Sequence, residues 1–292
     1  MGRNGGFIMN RRPSAWRIRT KVRKAFSTLF VGVGALIVVS PFIWMFLTSF
    51  KTYPETVKIP VTWLPQRLYL GNYEDLLLRM NFLAYYNNTI LVTLGITIPQ
   101  LFVSALAAYA FARLNFPGKN IIFVCLTAAM MIPLQMILLP RYSLLVSFGW
   151  LDRFIGVIIP TIPSISSCFF LRQHMLTLPR ELDESAILDG CSFFRIFWSI
   201  ILPLSKSSLV AIGILVFTWS WNDLLWPLIV LTSAGKYVLS LILALIQSRY
   251  ETFIQYNILL AASVLTTLPI LILVIVGQKY FVEGIASTGM KA

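Results

Sequence analysis

Charged residues are scarce in this chain of 292 residues, in which Asp, Glu, Lys and Arg together make up 12% of the sequence. A typical soluble domain carries about 25%. Hydrophobic residues make up 58%, and the mean hydropathy is +0.79. This much apolar surface cannot be buried inside a water-soluble fold of this size, so lipid must surround a large part of the chain. The scarcity of charge therefore excludes an ordinary soluble protein.

Acidic residues are fewer than basic ones, 11 against 24, and the formal net charge is +13. No base-reading motif accompanies the basic residues, so no nucleic-acid partner is expected. Eight of them precede Ala25 with no acid among them, and an apolar run begins near Phe26. This is the pattern of a cytoplasmic flank under the positive-inside rule. Residues 1–25 are therefore predicted to form a basic cytoplasmic segment.

Cysteine and histidine are too few for the sites that they usually build. Cys125, Cys168 and Cys191 have no CxxC partner, so neither a disulfide framework nor a zinc site is indicated. His174 is the single histidine and cannot complete a metal site with them. The sequence also offers no convincing nucleophile constellation and no phosphate-binding Gly-x-x-x-x-Gly-Lys-[Ser/Thr] motif. It therefore predicts a protein that is not an enzyme and that itself binds no metal and no cofactor.

Long continuous apolar runs are what the chain has in abundance. Barrel strands would alternate apolar and polar residues, so these runs predict helices, with about 20 residues for each crossing. The first run continues to about Phe50, which is too long for a cleavable signal peptide and favours an uncleaved first helix. The expected fold class is an all-α polytopic membrane protein with about six transmembrane helices. The predicted spans are residues 26–50, 86–113, 120–139, 154–175, 205–231 and 254–279.

The loops between these spans set the orientation in the membrane. With the N-terminus inside, sixteen basic residues fall on the inner side and eight on the outer side, which predicts that both termini are cytoplasmic. The outer segment 51–85 is rich in proline, asparagine and aromatic residues; it is either a cap on the membrane surface or a docking surface for an outer partner. Prolines within the spans predict bent or broken helices. They are Pro99, Pro133, Pro160, Pro163 and Pro269.

The cytoplasmic loop 176–204 is predicted to be a helical hairpin that projects from the membrane. Pro179 suits the first turn of a helix, and the acidic residues that follow it lie near the positive end of the helix dipole. Gly190 can adopt the positive φ that ends a helix. A second amphipathic piece with four aromatic residues follows, and Pro203 then opens the fifth span. On composition alone, such a hairpin would be interpreted as a simple connection.

The order of residue types within this hairpin is more specific than its composition. Eight residues form a pattern of type and spacing: Glu184, Ser185, Ala186, Asp189 and Gly190, then, after nine further residues, Ile200, Leu202 and Pro203. This pattern closely resembles the EAA loop of ABC importer permeases. Ser185 and Cys191 depart from the residues usual at their positions, but both are small, so close docking of the helices should survive.

Further stretches that resemble the same class of permease occur along the chain from about residue 36 to residue 291. They include Trp63-Leu-Pro65, Asn72-Tyr73, Asn87-Asn88-Thr, the alanine-rich run 107–118, Met131-Ile-Pro133, Trp221-Asn222-Asp223 and the tail 278–284. They resemble the maltose-type carbohydrate importers, and within that group the shorter, MalG-like permease. The resemblance implies a type I ABC importer (MetI-like) permease fold in the cytoplasmic membrane of a prokaryote, with a carbohydrate as the substrate.

The resemblance also implies a set of partners and a role for the hairpin. A second permease subunit would complete the pore, and a heterodimer is favoured over a homodimer. Two ATPase subunits would use ATP and Mg, and a solute-binding protein would deliver the solute to the outer face, where the loop 232–253 would contact it. The eight patterned residues would form the coupling helix against the ATPase. Glu184 would pair with a basic group of the ATPase or cap a local helix.

Candidate residues of the solute pathway lie at the end of the fifth span. Asp223 is the one acid placed inside a span, where a charge costs at least about 2.5–3.5 kcal/mol at the bilayer centre, so it should face a polar cavity or a partner. Trp221 and Asn222 suit a sugar, with an aromatic face for C–H surfaces and an amide for hydroxyls. An equal alternative is that Asp223 ends a helix at the membrane surface. Gln135 and Asn88 are further candidates.

Two rival functions remain open at this stage. A secondary transporter would need internal repeats and ion ligands at the bilayer midplane, and neither is visible in the sequence. An ABC importer of a non-sugar solute, such as an amino acid, a peptide or a phosphate ester, is the nearer alternative. The proline-rich first outer segment and the MalG-like tail favour a sugar.

Overall fold

The computed structural model describes residues 14–249 and 255–289. Every regular element in these two ranges is helical, which confirms the predicted all-α class. Residues 1–13 of the predicted basic segment, residues 250–253 of the predicted outer loop and the first residue of the predicted sixth span lie outside the described residues. The helices are α1 (Ser14–Thr48), α2 (Tyr53–Thr56), α3 (Gly71–Glu74), α4 (Phe82–Arg113), α5 (Lys119–Ala129), α6 (Leu134–Ser147), α7 (Phe154–Ile158), α8 (Ile165–Thr177), α9 (Glu181–Leu188), α10 (Phe193–Ile196), α11 (Leu202–Leu204), α12 (Lys206–Asn222), α13 (Leu225–Val230), α14 (Leu239–Arg249) and α15 (Tyr256–Gly289).

Four to six membrane spans are present in the described part of the chain. Four stretches are long and apolar enough by themselves: Arg23–Thr48, Phe82–Arg113, Phe154–Thr177 and Tyr256–Lys279. Two helix pairs add one span each if each bent pair is counted as a single crossing. They are Lys119–Ala129 with Leu134–Ser147, bent by 99°, and Phe193–Leu204 with Lys206–Asn222, bent by 77°. The expectation of about six spans agrees with the upper figure.

The predicted span over residues 120–139 is broken near Pro133, as this proline predicted, but it ends later in the chain than predicted. The chain turns by 99° between α5 and α6, and α6 runs on to Ser147. Pro133 is the N-cap of α6, with ψ of 135°, and proline disfavours the helical conformation at the residue before it. The predicted fifth span, 205–231, is likewise divided, because α12 ends at Asn222 and α13 begins at Leu225. Pro133 therefore marks a break as predicted, whereas Pro99 and Pro269 lie inside the uninterrupted helices α4 and α15.

The outer segment after α1 is fastened to the helix bundle by one buried amide. Asn72 Nδ2 donates to the carbonyl oxygens of Ser49 at 2.8 Å and Lys51 at 2.9 Å. Asn72 Oδ1 in turn accepts a hydrogen bond of 2.7 Å from Asn257 Nδ2 at the start of α15. The Asn72-Tyr73 pair therefore holds three distant parts of the chain together at the outer end of the bundle.

Helix α4 is the central element of the bundle and packs along α8 and α12. Ala105, Ala108 and Ala112 lie on one face of α4 and are almost completely buried against α8 and the hairpin between α8 and α12. Small residues on one face let two helix backbones approach closely within a membrane. Gln100 Nε2 also donates to Ser167 Oγ of α8 at 3.1 Å. Close packing and this hydrogen bond join α4 and α8 into one unit.

Replacing Gly156 by alanine should destabilise the fold. A Cβ at Gly156, in α7, would overlap the carbonyl oxygen of Trp150 and crowd the side chain of Leu145. We expect a loss of about 1–3 kcal/mol in unfolding free energy, the usual cost of overpacking a core. The same change at Gly34, in α1, meets nothing within 4 Å and should be neutral or slightly stabilising. Equal thermal unfolding midpoints for the two purified variants would contradict this account.

Candidate functional site

The hairpin between α8 and α12 begins with α9, which ends as its sequence predicts. Gly190 has φ of 76° and lies directly after the C-cap residue Asp189. The Cys191 N–H donates to the carbonyl of Ala186 at 2.9 Å, and the Gly190 N–H donates to that of Ile187 at 3.0 Å. This is the Schellman arrangement, which needs a left-handed residue at the position of Gly190. The turn therefore fixes the direction in which the second helix leaves.

The second arm of the hairpin is rooted in the core of the bundle. The Ser192 hydroxyl caps α10 by accepting a hydrogen bond from the Arg195 N–H at 3.3 Å. A π-helical turn, Phe197–Ile201, follows α10. Within this arm Ile196, Phe197 and Ile201 are fully buried, and the Phe197 ring lies 5.3 Å from the ring of Tyr109 on α4. The hairpin is therefore anchored to α4 by an aromatic contact.

The first arm is held to α4 by an ion pair. Arg113, the last residue of α4, places Nη1 3.1 Å from Asp183 Oδ2. Burial raises the pKa of Asp183 above its usual value, while the nearby charge of Arg113 acts in the opposite direction. Ala186, one turn later on the same face of α9, is buried in the same core. Asp183 and Ala186 therefore form the inner face of α9.

Four large apolar side chains of the hairpin are exposed, among exposed acidic and polar residues. Leu188, at the end of α9, is 89% exposed. Phe193, Phe194 and Trp198 on the second arm are also exposed, and Phe194 stacks on Trp198 with a centroid distance of 6.5 Å. Exposed apolar patches rimmed by polar groups mark interaction surfaces. We call Leu188, Phe193, Phe194 and Trp198 the hairpin surface.

The eight patterned residues divide between these two faces. Five are exposed, namely Glu184, Ser185, Asp189, Gly190 and Pro203; Ala186 is buried, and Ile200 and Leu202 are half-buried. Glu184 is not the cap of α9, because the N-cap residue is Arg180 and no side-chain capping bond is formed there. Pro203 lies in α11, before the 77° bend, and α12 begins three residues later at Lys206.

Trp221 is a core residue in this conformation. Its side chain is 1% exposed, and its indole Nε1 donates to the carbonyl of Thr266 at 3.0 Å. The ring stacks on Phe217 and makes an edge contact with Tyr86. Its faces are therefore occupied by protein, and the structure offers no sugar-facing aromatic surface at this position. The neighbouring Asn222 is exposed and donates to the carbonyl of Thr218 at 2.7 Å.

Asp223 lies at the break between α12 and α13 and has a cationic neighbour that the sequence analysis placed in a loop. Arg141 lies within α6, close enough to Asp223 for their charges to interact. Its guanidinium lies 3.9 Å from the ring centre of Trp226 and donates to Thr161 Oγ1 at 2.7 Å. Ser240 Oγ donates to the free carbonyl of Asp223 at 2.7 Å. Asp223 is therefore the C-cap residue of α12 and lies within range of the charge of Arg141.

The other two pathway candidates have different surroundings. Asn88 Nδ2 donates to the carbonyls of Gly235 and Tyr237, each at 3.0 Å. It therefore fixes the outer loop to α4, and its donor group is already used. Gln135 is exposed in the first turn of α6, directly after the bend at Pro133. The structure does not bring Asn88 and Gln135 to one common site with Asp223.

The outer side of the bundle is tied together by Asp152. Its carboxylate accepts hydrogen bonds from the backbone N–H groups of Thr232 and Ser233 at 3.0 and 2.9 Å, and pairs with Lys236 Nζ at 2.7 Å. Lys236 and Ser233 hold the pKa of Asp152 well below its usual range. The predicted loop 232–253 is therefore only partly a loop. Its second half is α14, whose Leu239 is fully buried.

Three charged residues that make these contacts were not among the candidate residues named from the sequence: Arg113, Asp183 and Arg141. Asp183 could have been found from its spacing, because it lies three residues before Ala186 and so shares its face of the helix. Arg141 interrupts an apolar run, which is a signal in itself. The pairing of Arg113 with Asp183 joins positions seventy residues apart, and no local pattern indicates it.

Comparison with known proteins identifies the family to which the chain belongs. A family model for the "Binding-protein-dependent transport system inner membrane component" matches residues 100–287. The arabinooligosaccharides transport system permease protein AraQ of Bacillus subtilis is 36% identical over 90% of this chain and 94% of its own length. The AraQ protein of Halalkalibacterium halodurans is 35% identical over 88% and 92%. The sn-glycerol-3-phosphate transport system permease protein UgpE of Pectobacterium atrosepticum is 32% identical over 90% and 96%.

A solved structure supports the same assignment at the level of the fold. It is a bacterial ABC transporter involved in the import of the acidic polysaccharide alginate, and one of its chains matches with a TM-score of 0.80. The match covers 92% of this chain and 99% of that chain at 23% sequence identity. The predicted MetI-like permease fold is therefore confirmed. The chain belongs to the family of binding-protein-dependent transport system inner membrane components, the multi-pass permease subunits of ABC importers, and is a transport protein rather than an enzyme.

Proposed function

We propose that this chain is the permease subunit of an ATP-driven importer that carries a carbohydrate, an oligosaccharide or another sugar, across the cytoplasmic membrane of a prokaryote. The observation that carries the coupling part of the proposal is the hairpin between α8 and α12. One side of this hairpin exposes the hairpin surface, and its other side is anchored to α4. The chain itself binds no cofactor. ATP and Mg act in two separate ATPase subunits that dock on this surface, and Glu184 is exposed beside it.

The solute class rests on the relatives. The two AraQ proteins are named for arabinooligosaccharides and the UgpE protein for sn-glycerol-3-phosphate. The stronger sequence identity to the AraQ proteins favours a neutral oligosaccharide. A phosphate ester is the second candidate, because the UgpE relative covers the chain equally well. Arg141, a cation within α6 near Asp223, would suit such an anion.

The remaining partners follow from the two ends of the bundle. The hairpin faces the ATPase, so both termini lie in the cytoplasm, and the outer segment 51–85 faces the opposite side. The outer loop, which Asp152 and Asn88 hold to the rest of the bundle, receives the solute-binding protein. A second permease subunit completes the pore. We favour a heterodimer, since maltose-type importers use two different permeases.

The solute pathway is proposed to pass the break between α12 and α13. Broken helices line substrate paths in transporters because their free backbone groups need polar surroundings. Asp223, Arg141 and Asn222 lie at or beside this break, and Gln135 follows the bend before α6. Trp221 would contribute by packing rather than by contact with the solute, and Asn88 by holding the outer loop.

Purification from native membranes in mild detergent tests the whole proposal. We expect a tagged chain to bring down an ATPase, a second permease and a solute-binding protein, since each is needed for transport. Uptake by the reconstituted complex should then require ATP and a sugar that the binding protein holds. Import of a phosphate ester but of no sugar would support the second candidate. Recovery of the chain alone, while a known transporter in the same extract stays intact, would contradict the importer.

Replacing Leu188 by glutamate should weaken binding of the ATPase. Leu188 is the most exposed apolar residue on the hairpin surface, and a carboxylate there would have to be desolvated on docking. We expect the amount of co-purifying ATPase to fall by about tenfold or more. Leu64→Glu, an equivalent change at an exposed leucine of the outer segment, should leave ATPase binding unchanged. Equal loss in both variants would argue against the hairpin surface.

Replacing Gly190 by leucine should uncouple ATP hydrolysis from uptake while the chain still inserts. The site has open space around it, so the cost comes from the φ of 76° rather than from a clash. A left-handed residue other than glycine costs about 1–2 kcal/mol, which can shift the population of the working hairpin by about 5–30-fold. Gly190→Asn should retain most uptake, because asparagine tolerates this conformation. Normal uptake by the leucine variant would refute the prediction.

A further inference from the structure

One guanidinium joins the end of α4 to both sides of the corner that leads into the hairpin. Arg113 Nη2 donates to the carbonyl of Leu178, the C-cap residue of α8, at 2.9 Å. Its Nη1 reaches Asp183 in the first turn of α9. The side chain of Arg113 is 4% exposed and that of Asp183 is 16% exposed. The contact therefore lies inside the protein, at the place where the membrane spans end and the hairpin begins.

The two faces of α9 have different partners. Glu184 and Leu188, four residues apart, lie on the exposed face, where the ATPase is proposed to dock. Asp183 and Ala186 lie on the inner face. A displacement that the ATPase imposes on the exposed face of α9 reaches α4 and α8 by three routes: these inner contacts, the corner between α8 and α9, and the turn at Gly190 with the second arm.

The two inner contacts of α9 differ in whether they can transmit a displacement to α4. Ala186 contributes a small apolar contact, which allows α9 to slide or rotate against α4. The ion pair is directional, because the planar guanidinium engages a carboxylate and a carbonyl at the same time. Arg113 Nε and Asp183 Oδ1 are buried without a hydrogen-bond partner in the described structure. Because these two atoms have no hydrogen-bond partner among the described residues, the two side chains are positioned mainly by their bond to each other. The ion pair therefore holds α9 in one orientation relative to α4.

We propose that Arg113 and Asp183 are positioning residues that make α4, α8 and the hairpin move as one body when the ATPase subunits close. The inference rests on the proposed docking of the ATPase on the hairpin. Rigid-body motion of this kind requires a stiff connection between the site where the force is applied and the helices that move. Without the ion pair the hairpin still docks, but its displacement is absorbed at the corner between α8 and α9.

The test compares three variants in the complete purified complex, reconstituted in lipid vesicles. Asp183→Asn leaves the buried Arg113 without its counter-charge. The double variant Arg113→Gln/Asp183→Asn removes both charges and so leaves no unpaired charge to disturb folding. Glu181→Gln, an exposed acid in the same turn, is the matched control. The quantity measured is solute imported per ATP hydrolysed, with whichever solute the wild-type complex imports, so that an error in the carbohydrate assignment does not affect this test.

We expect the ratio to fall at least about fivefold in Asp183→Asn and in the double variant, the lower end of coupling between sites. ATP hydrolysis and the recovered amount of each subunit should stay near the wild-type values. Glu181→Gln should keep the wild-type ratio. A wild-type ratio in the double variant would overturn the proposal, because the defect of Asp183→Asn would then come only from the unpaired charge of Arg113. A proportional fall of hydrolysis and import, or an equal fall in the control, would also overturn it.

Discussion

The close packing of α4 against α8 and the hairpin is the interaction on which the rest of the structure depends. Three buried alanines on α4 let the helix backbones approach, and Phe197 and Ala186 of the hairpin pack into the same core. Dispersion contacts and small residues are the main source of helix association in lipid, where no hydrophobic force drives helices together. The position of the hairpin relative to the spans is therefore set by α4 rather than by the connecting turns.

Breaks in the helices are the second constraint. Within a membrane a free backbone carbonyl must find a protein partner. At the end of α12, Ser240 supplies the partner of the Asp223 carbonyl, and Trp226 Nε1 donates to the carbonyl of Gly156 at 3.2 Å. Arg141 and Asp223 add charge at the same place. The break is thus a polar region that is covered from several sides, which makes it suitable for a pathway that opens and closes.

Sequence reasoning succeeded where the physics is local. The hairpin, its glycine turn and its exposed acids follow from helix propensity, dipole and backbone conformation, which act over a few residues. The bends at Pro133 and before α13 were indicated by proline and polar residues, but their angles were not. Trp221 shows the limit most clearly. An aromatic residue beside an amide and an acid suits a sugar site, yet its burial against Phe217 and Tyr86 depends on helices that are distant in sequence.

The sequence by itself determined that the chain is a helical membrane protein, where the hairpin lies along it, and which family it resembles. Composition, hydrophobic run length and an ordered motif are properties of the linear chain. Only the tertiary structure decided which side of α9 faces inward, that Arg113 pairs with Asp183, and that Arg141 accompanies Asp223. Those contacts join positions tens of residues apart, and the packing of α4, α6, α8 and α12 alone brings them within reach of one another.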